Sequence, residues 1–488
     1  MKERVCDVAI IGAGTAGIAA ERTARGEGAT TLLIDEQFAG TTCATVGCMP
    51  SKLLIAAAQA AHAVRRAPLF GVRASSTING RAVMQRVRAE RDRFVAATKQ
   101  SFLALPDDIA ISARARFTGE TSLALSDGTA VAAKAIVIAT GARPFIPDTL
   151  ASLEGLLLTN ENLFELQILP RSAAVIGAGA LGLELAQALA RLGVEITVFD
   201  RSDTIAGLRP GPVADSVLSV LRQEMKILLG TDITATRHND AARIAWGGAE
   251  IGSGTFDRVL VATGRPPSTR DLDLQLAGLA CDEHGVPCFD VRTMQCGQAP
   301  IFIAGDVDAY RPVLHEASTE GAIAGRNAAR FPNVKSSERG ISLSFMFTDP
   351  PLGVVGEPPH DESVVARAYY DDQGRAKVEA KNVGVIEVYA DPVHGRLTGA
   401  VLAAPGGDHL AHLLAWAIER GETGSSLLEH PFYHPTYEEG IKDALRDICS
   451  AVHAPVPEDR DAGTPPGASG RPKSQGALES GGLGKPTA

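Results

Sequence analysis

Several features are scarce in this 488-residue sequence, and each shortage excludes a class of protein. No apolar run reaches the 18 or more residues of a membrane-spanning helix, so we expect no membrane segment. Basic residues do not dominate, and a net charge of −10 provides no general attraction to nucleic acid or anionic lipid. Seven cysteines, spread over a long chain, are too few for the disulfide framework of a small secreted protein. We therefore expect a cytoplasmic protein with small-molecule or protein partners.

The start of the chain has basic residues and then an apolar stretch, as a signal peptide does. Asp7 and three glycines inside that stretch favour a buried strand and a turn instead. The length predicts about three domains, because a single core usually stops growing near 250 to 300 residues.

Two segments repeat one pattern: an apolar run, three glycines, a helical stretch and a second apolar run that ends in aspartate. The residues are Gly12, Gly14, Gly17 and Asp35 in the first segment, and Gly177, Gly179, Gly182 and Asp200 in the second. In both segments the aspartate follows the first glycine by 23 residues. The pattern predicts a strand, turn, helix and strand whose helix N-terminus binds a pyrophosphate, while the aspartate binds ribose hydroxyls. We predict two dinucleotide-binding units.

Other patterns divide the rest of the chain. An apolar strand running into Thr-Gly follows each unit, at AIVIATGARP (135–144) and RVLVATGRPP (258–267). The stretch IFIAGD predicts a strand that ends at Asp306, followed by a helix that begins near His315. A third segment starts around SLSFMFTDPP and contains strand-like and helical stretches. Residues 454–488 are rich in Pro, Gly and Ser and are predicted to be disordered.

The segment GTTCATVGCMPSK (40–52) contains Cys43 and Cys48. A zinc site would need two further ligands at similar local spacing, but Cys281 and Cys288 are seven residues apart. We therefore predict no metal site. A structural disulfide would close only a short loop and is disfavoured in a reducing compartment.

Redox chemistry is the interpretation that remains for the Cys43 and Cys48 pair. Gly47 would allow the backbone to bend between the cysteines, and Pro50 fits the first turn of a helix. The N-terminus of that helix would stabilise a thiolate.

The sequence resembles the flavoprotein disulfide reductases, and among them the dihydrolipoamide dehydrogenases most closely. The resemblance covers residues 5 to about 450. It is based on GTTCATVGCMPSK, the two glycine motifs, IFIAGD, FTDPPLGVVG and HPFYHPTYEEG, in the family's order and approximate spacing. It implies an FAD- and NAD-dependent enzyme that oxidises dihydrolipoamide through a disulfide between Cys43 and Cys48.

The resemblance also implies a set of cofactor-binding residues. Those expected to bind FAD are Gly12, Gly14, Gly17, Asp35, Lys52, Ala115, Thr140, Gly141, Ala142, Asp306, Pro312, Val313, Leu314 and His315. Those expected to bind NAD are Gly177, Gly179, Gly182, Asp200 and Gly264. Arg201 is the type of residue that accepts the 2′-phosphate of NADP in relatives, but Asp200 would repel that phosphate. NAD is therefore favoured over NADP.

Catalytic roles follow from the same resemblance. Cys43 is expected to exchange with the substrate dithiol, and Cys48 is expected to contact the flavin. Lys52 and Glu184 are expected to pair beside the flavin N5. His434 is the expected proton acceptor, oriented by Glu439. In the family this histidine reaches the cysteines of the neighbouring subunit, which implies an obligate homodimer with shared active sites.

The predicted fold is of the α/β class, with two Rossmann-like dinucleotide-binding domains, for FAD and NAD, and a C-terminal α+β dimerisation domain. The predicted boundaries are 1–147 and 268–338 for the two parts of the FAD-binding domain, 148–267 for the NAD(P)-binding domain, 339–453 for the dimerisation domain and 454–488 for the tail.

Two positions depart from the family pattern, because Thr41 and Ala115 stand where glycine is usual. We expect only local adjustment at both. The alternative activities are reduction of another disulfide or of mercuric ion. Mercuric reductases end in an extra cysteine pair, whereas only Cys449 lies near the end of this chain. Ser51 disfavours a glutathione reductase, and a soluble transhydrogenase would lack the Cys43 and Cys48 pair.

A hypothesis of another class is a structural, flavin-holding subunit of a dehydrogenase complex. The expected partners of the enzyme are dihydrolipoamide or a lipoyl-domain protein, within a 2-oxoacid dehydrogenase or related complex. We expect no lipoyl-bearing extension before Met1.

Overall fold

The structure is a computed structural model that describes residues 2–106 and 108–457. Its strands, in chain order, are β1 (Lys2–Ile11), β2 (Thr31–Asp35), β3 (Ala110–Ser112), β4 (Ala115–Gly119), β5 (Ser122–Leu125), β6 (Thr129–Ile138), β7 (Leu157–Leu158), β8 (Ser172–Ile176), β9 (Glu195–Phe199), β10 (Lys226–Leu228), β11 (Asp232–His238), β12 (Ala241–Gly247), β13 (Gly252–Phe256), β14 (Arg258–Val261), β15 (Ile301–Ile303), β16 (Leu343–Met346), β17 (Leu352–Gly356), β18 (Val364–Tyr369), β19 (Val385–Ala390) and β20 (Leu397–Ala403).

The α-helices, in chain order, are α1 (Thr15–Gly26), α2 (Thr42–Thr45), α3 (Cys48–Arg66), α4 (Gly80–Leu103), α5 (Ala180–Arg191), α6 (Pro212–Leu221), α7 (Leu314–Arg330), α8 (Gly374–Val378), α9 (Gly407–Glu419), α10 (Gly424–Leu428) and α11 (Lys442–Ala451). Short 3₁₀ helices lie at Ala67–Phe70, Asp148–Leu153, Leu163–Glu165, Arg270–Leu272, Leu274–Ala277, Asp306–Asp308 and Glu438–Ile441.

The first sheet has the strand order β3-β2-β1-β6-β5-β4, and β15 adds to β6 from a distant part of the chain. Its centre is parallel: Ile10 of β1 lies opposite Leu33 of β2 and Val137 of β6. All three side chains are fully buried, as expected for a parallel sheet with both faces covered. Helices α1 and α7 pack together on this sheet.

The second sheet has the order β10-β9-β8-β14-β7 and is also parallel. Val175 of β8 lies at its buried centre, opposite Val198 and Leu260. A small antiparallel sheet, β11-β12-β13, packs beside it, with the ring of Phe199 against that of Trp246. The two parallel sheets therefore repeat one architecture.

The third large sheet, β16-β17-β20-β19-β18, is antiparallel throughout. Helix α9 packs on β17 and β20, and α11 packs on β18. Alternation along β18 buries Ala366 and Ala368 and exposes Val365, Arg367 and Tyr369. The predicted fold class, two Rossmann-like parallel sheets and a C-terminal α+β unit, is confirmed.

The strand predicted to end at Asp306 ends earlier. Strand β15 stops at Ile303, and two residues later the N–H of Gly305 donates to the buried Glu320 carboxylate (2.9 Å). Gly305, with φ +81°, then turns the chain into the 3₁₀ helix that begins at Asp306. Helix α7 begins at Leu314, one residue before the predicted start.

Within the described ranges, no helix combines the length and the apolar character that a bilayer span requires. Most of the predicted tail, residues 458–488, lies outside the described residues.

Candidate active site

The first glycine-rich turn joins β1 to α1 and forms an open cradle at the helix N-terminus. Gly12 has φ +104°, and a Cβ there would lie 2.3 Å from the carbonyl oxygen of Ala139. Gly14 is the N-cap residue of α1, no side chain caps the helix, and a Cβ on Gly14 would meet no atom within 4 Å. The first N–H groups of α1 are therefore available to an anion, which fits a pyrophosphate.

The second glycine-rich turn, between β8 and α5, repeats this geometry. Gly177 has φ +111°, and its Cβ would lie 2.3 Å from the carbonyl oxygen of Ala262. Gly179 caps α5 with open space around it and no side-chain cap. This cradle fits a second pyrophosphate.

The third glycine of each motif allows the helix to lie against the preceding turn. A Cβ on Gly17 would be 1.8 Å from the carbonyl oxygen of Gly12, and a Cβ on Gly182 would be 2.1 Å from that of Gly177. Larger residues at these two positions would push the helix away from the cradle.

The two predicted ribose-binding aspartates end their strands beside the cradles. Asp35 accepts hydrogen bonds from the backbone N–H groups of Ala13 (2.9 Å) and Phe38 (2.8 Å). Asp200 accepts a corresponding bond from Ala178 (2.5 Å). Each carboxylate is thus held in place by its own glycine-rich turn.

Arg201 does not pair with Asp200. Its Nε lies 3.1 Å from Asp232, and both side chains are exposed. The Arg201 guanidinium therefore forms a surface ion pair with Asp232 beside the second cradle.

The Cys43 and Cys48 segment is a joint between two helices. Cys43 lies on the short α2, and Cys48 is the first residue of α3. The chain bends at Gly47, where a Cβ would lie 2.8 Å from the carbonyl oxygen of Thr42. Thr41, in place of the usual glycine, uses its hydroxyl to cap α2. The departure at position 41 therefore adds a local hydrogen bond.

Both cysteines are free thiols in this structure, and their side chains are hydrogen-bonded to each other. This bond, with burial, raises the pKa of Cys43 far above its usual range. The bond from Cys43 and the Lys52 ammonium, against the opposing effect of burial, together lower the pKa of Cys48 to about 7. Cys48 is therefore the sulfur that ionises near neutral pH, and Cys43 keeps its proton.

Lys52, one turn into α3, forms an ion pair with Glu184 of α5 across 2.8 Å. The other carboxylate oxygen of Glu184 accepts the N–H of Phe347 (2.6 Å). The Lys52 ammonium also lies 4.0 Å from the centre of the Phe347 ring. The structure thus brings the predicted pair together and adds Phe347, from the segment after β16, as a third member.

The two Thr-Gly segments pair with each other. Ala142 and Pro267 form an antiparallel bridge, and the Thr140 hydroxyl donates to the carbonyl of Ser268 (2.8 Å). Gly264, in the second segment, has φ +117°. These contacts form a strap between the first and second sheets, so residues 140–142 and Gly264 lie where the two units meet.

The other residues predicted to bind FAD come from three parts of the first unit. Ala115 opens β4, and Asp306 opens a 3₁₀ turn after β15. Residues 312–315 (Pro312, Val313, Leu314 and His315) form the entry to α7. Their roles toward FAD stay predictions.

His434 and Glu439 are brought together, because the His434 Nδ1 lies 3.0 Å from a carboxylate oxygen of Glu439. The Glu439 side chain is 10% exposed and the His434 ring is 53% exposed. Glu439 therefore orients a ring that remains half exposed.

Sequence reasoning missed Phe347, Asn160 and Arg265. The buried Asn160 donates to the carbonyl of Val46, between the two cysteines, and accepts a bond from Arg265. Arg265 directly follows the second Thr-Gly, so the repeated motif could have indicated it. No local pattern marks Asn160.

The part of the chain that the structure describes contains no group of three or more His, Cys, Asp and Glu side chains able to hold a metal ion. Cys449 is fully buried in the core of the third sheet and its helices.

Comparison with protein families gives two matches. The model described as "Pyridine nucleotide-disulphide oxidoreductase" matches residues 6–322. The model of the dimerisation domain of the same family matches residues 343–445. That second match supports a homodimer.

Three known proteins illustrate the similarity. A mercuric reductase of Acidithiobacillus ferrooxidans is 31% identical over 469 residues, which cover 91% of this chain and 83% of the relative. A dihydrolipoyl dehydrogenase of Haloferax volcanii is 29% identical over 469 residues, covering 92% and 97%. The solved structure of the HOCl-induced flavoprotein disulfide reductase RclA from Escherichia coli, as a Cu(II) complex, has a TM-score of 0.78 at 23% identity and covers 91% and 99%. This last likeness concerns the fold alone.

Proposed function

The chain belongs to the pyridine nucleotide-disulphide oxidoreductases, and on that premise we propose that it oxidises dihydrolipoamide with NAD⁺ through a Cys43–Cys48 disulfide. The family uses FAD and a pyridine nucleotide, and the two cradles fit one dinucleotide each. The choice of dihydrolipoamide as substrate and of NAD⁺ over NADP⁺ is part of the proposal.

The observation that carries the proposal is the pair formed by His434 and Glu439. A dithiol substrate must lose a proton before it can attack a disulfide, because the thiolate is the nucleophile. An imidazole oriented by a carboxylate is suited to accept that proton. The half-exposed ring is consistent with proton transfer to and from the cysteines of a partner subunit.

The proposed sequence of bonds follows from the two sulfurs. A substrate thiolate, its proton taken by His434, attacks the Cys43 sulfur and breaks the Cys43–Cys48 bond. Cys48 leaves as a thiolate, which its pKa of about 7 favours. The second substrate thiol then attacks the substrate sulfur of the mixed disulfide and breaks its bond to Cys43, so that lipoamide is released and the proton of that thiol passes to the departing Cys43 sulfur.

Bound FAD would carry the two electrons from the dithiol to NAD⁺. The residues of the chain would hold the two cofactors and set the charge around the cysteines. Gly12, Gly14, Gly17 and Asp35 would hold the ADP half of FAD, while Lys52 and Glu184 would set the charge beside the redox pair. In the second unit, Gly177, Gly179 and Gly182 would hold NAD⁺, and the Asp200 carboxylate would repel a 2′-phosphate.

We further propose a cytoplasmic location and a lipoyl-domain protein of a 2-oxoacid dehydrogenase or related complex as partner. All seven cysteines are free, which fits a reducing compartment. The exposed Tyr433 beside His434 fits an interface at this end of the third sheet.

Reduction of mercuric ion is the second candidate. The 31% identity to mercuric reductases favours it, since a dithiol whose Cys48 side is exposed also suits a soft metal ion. Against it, Cys449 is fully buried and unsuited to deliver a metal ion from the C-terminal end.

The deciding experiment is a steady-state assay of the FAD-loaded protein with NADH or NADPH against lipoamide, oxidised glutathione and mercuric ion. We expect turnover with NADH and lipoamide. His434→Gln should lower this turnover by about 10² to 10⁴-fold, because the proton acceptor is lost, while FAD reduction by NADH stays near the wild-type rate.

His430→Gln is the matched control, since His430 is an exposed histidine on the same segment whose nearest acidic partner, Glu422, is 3.9 Å away. It should leave turnover unchanged. Wild-type protein that ignores lipoamide but reduces mercuric ion would replace the first candidate by the second, and indifference to all three acceptors would overturn both.

A further inference from the structure

We propose that Asn160, held by Arg265, is a positioning residue for the Cys43–Cys48 redox couple, and this rests on the proposed function. Its task is to fix the joint between α2 and α3 so that the two sulfurs stay within bonding reach. The same contact ties that joint to the strap between the two sheets.

The contact is a relay of three hydrogen bonds. The Asn160 Nδ2 donates to the carbonyl of Val46 (2.9 Å), and the Asn160 Oδ1 accepts from a guanidinium nitrogen of Arg265 (3.1 Å). The other terminal nitrogen of Arg265 donates to the carbonyl of Ala142 (2.6 Å). Asn160 is only 3% exposed, so water does not compete for these bonds.

Chemistry fixes the orientation of the Asn160 amide. A guanidinium only donates and a carbonyl only accepts, so Oδ1 must face Arg265 and Nδ2 must face Val46. An aspartate of the same shape would keep the Arg265 contact but would place a carboxylate oxygen against the Val46 carbonyl. Only an amide satisfies both neighbours.

A hydrogen bond to the Val46 carbonyl can fix the orientation of α2 relative to α3. Val46 is the C-cap residue of α2, so its carbonyl has no acceptor role within that helix, and the bend at Gly47 follows immediately. Cys43 lies on one side of this point and Cys48 on the other. If the Val46 carbonyl is released, α2 can move relative to α3, and the effective concentration of one sulfur at the other falls.

The last hydrogen bond of the relay, from Arg265 to the Ala142 carbonyl, connects it to a second part of the site. Ala142 belongs to the strap, where it bridges to Pro267, and to the residues predicted to bind FAD. The relay therefore links the spacing of the two sulfurs to the turn that is expected to hold the cofactor.

The test compares Asn160→Asp with the wild type in the FAD-loaded protein. The Cys43–Cys48 couple is equilibrated with reduced and oxidised dithiothreitol, and free thiols are counted by alkylation. We expect the equilibrium constant for disulfide formation to fall about tenfold, equivalent to about 30 mV for a two-electron couple. FAD content and the rate of FAD reduction by NADH should stay at wild-type values.

Asn162→Asp is the matched control. Asn162 lies two residues further on the same segment, is exposed, and bonds only locally, to the N–H of Thr159 and the carbonyl of Leu157. This variant should leave the thiol equilibrium unchanged. Arg265→Met is a second variant that retains Asn160 but frees its amide to rotate, and it should lower the equilibrium constant by about threefold.

The outcomes separate the two proposals. A wild-type protein without a reversible Cys43–Cys48 couple overturns the proposed function. A couple that is present but unmoved by Asn160→Asp and Arg265→Met overturns this inference alone. Loss of bound FAD in step with the shift would assign Asn160 a merely structural role and would also overturn it.

Discussion

The two glycine-rich units have nearly the same cradle but opposite surroundings. In both units the first glycine has a positive φ. A Cβ on that glycine would lie only 2.3 Å from a backbone carbonyl oxygen, so no larger residue fits there. The outer faces of α1 and α5 differ. The glycine motif therefore determines the geometry of the cradle. The other residues of each helix determine which parts of the protein that helix packs against.

Helix α1 packs on α7 through small residues. A Cβ on Gly321 would lie 2.2 Å from the carbonyl oxygen of Ala16, and one on Gly325 would lie 2.2 Å from that of Ala20. Beside this contact, Asp308 is buried near Glu320, and burial with that neighbouring charge raises the pKa of Asp308 to about 8. The first unit is thus a closely packed pair of helices on a sheet, and Asp308 inside it is an uncharged carboxylic acid near neutral pH.

Helix α5 instead buries polar side chains that bond to other parts of the chain. Glu184 binds Lys52 of α3, and Arg191 binds Glu224 and Asp349. The second unit is therefore a charged junction between α3 and the segment that joins β16 to β17 in the third sheet. The same glycine motif therefore occurs twice in this chain, but the two helices that follow it make different kinds of contact with the rest of the protein.

The largest effect should come from breaking the close packing of the first unit. Gly325→Val would force a branched side chain against the Ala20 backbone, at a cost of about 3 kcal/mol of stability. We expect the thermal unfolding midpoint, measured by circular dichroism, to fall by on the order of 5 °C. Gly26→Ala is the control, because a Cβ there meets nothing within 4 Å and should change stability by less than about 0.5 kcal/mol. Equal effects of the two substitutions would contradict the packing argument.

The buried acid of the first unit should make stability depend on pH. Because the folded pKa of Asp308 is about 8 and the unfolded value is 3.8, the folded state retains a proton that the unfolded chain releases. Stability from this group is present below pH 3.8 and is lost as pH rises toward 8. Between pH 6 and pH 9 the stability of Asp308→Asn, whose side chain stays neutral, should fall by about 2.7 kcal/mol less than that of the wild type. Parallel denaturation curves across this range would show that the group is already ionised.

The charged junction of the second unit should act on the thiol chemistry instead. Lys52→Met removes the cation that lowers the pKa of Cys48, so the thiolate fraction should fall and alkylation at pH 7 should slow by about fivefold. Glu184→Gln removes the anion that raises this pKa and should accelerate alkylation. The measurement is the rate of iodoacetamide labelling against pH. Shifts of the same sign in both variants would refute this assignment of charges.

Local patterns were sufficient wherever the spacing of residues defines the geometry. The glycine motifs predicted both cradles, because a tight turn and a close helix contact depend on adjacent residues. His434 lies five residues before Glu439, which is in the 3₁₀ helix Glu438–Ile441, so their pairing was within reach of the sequence. The pairing of Lys52 with Glu184, across 132 positions, was expected only through resemblance to a family.

The chain by itself determined the elements, the two cradles and the bend at Gly47, because these depend on short-range sterics and hydrophobic periodicity. Only the tertiary structure decided that Asn160 meets Val46 and Arg265, 114 and 105 residues away. It likewise brought Lys52, whose ammonium lowers the pKa of Cys48, to Glu184, 132 residues away. Both outcomes depend on which groups the packed sheets bring within about 3 Å, a distance over which hydrogen bonds act and which no local spacing encodes.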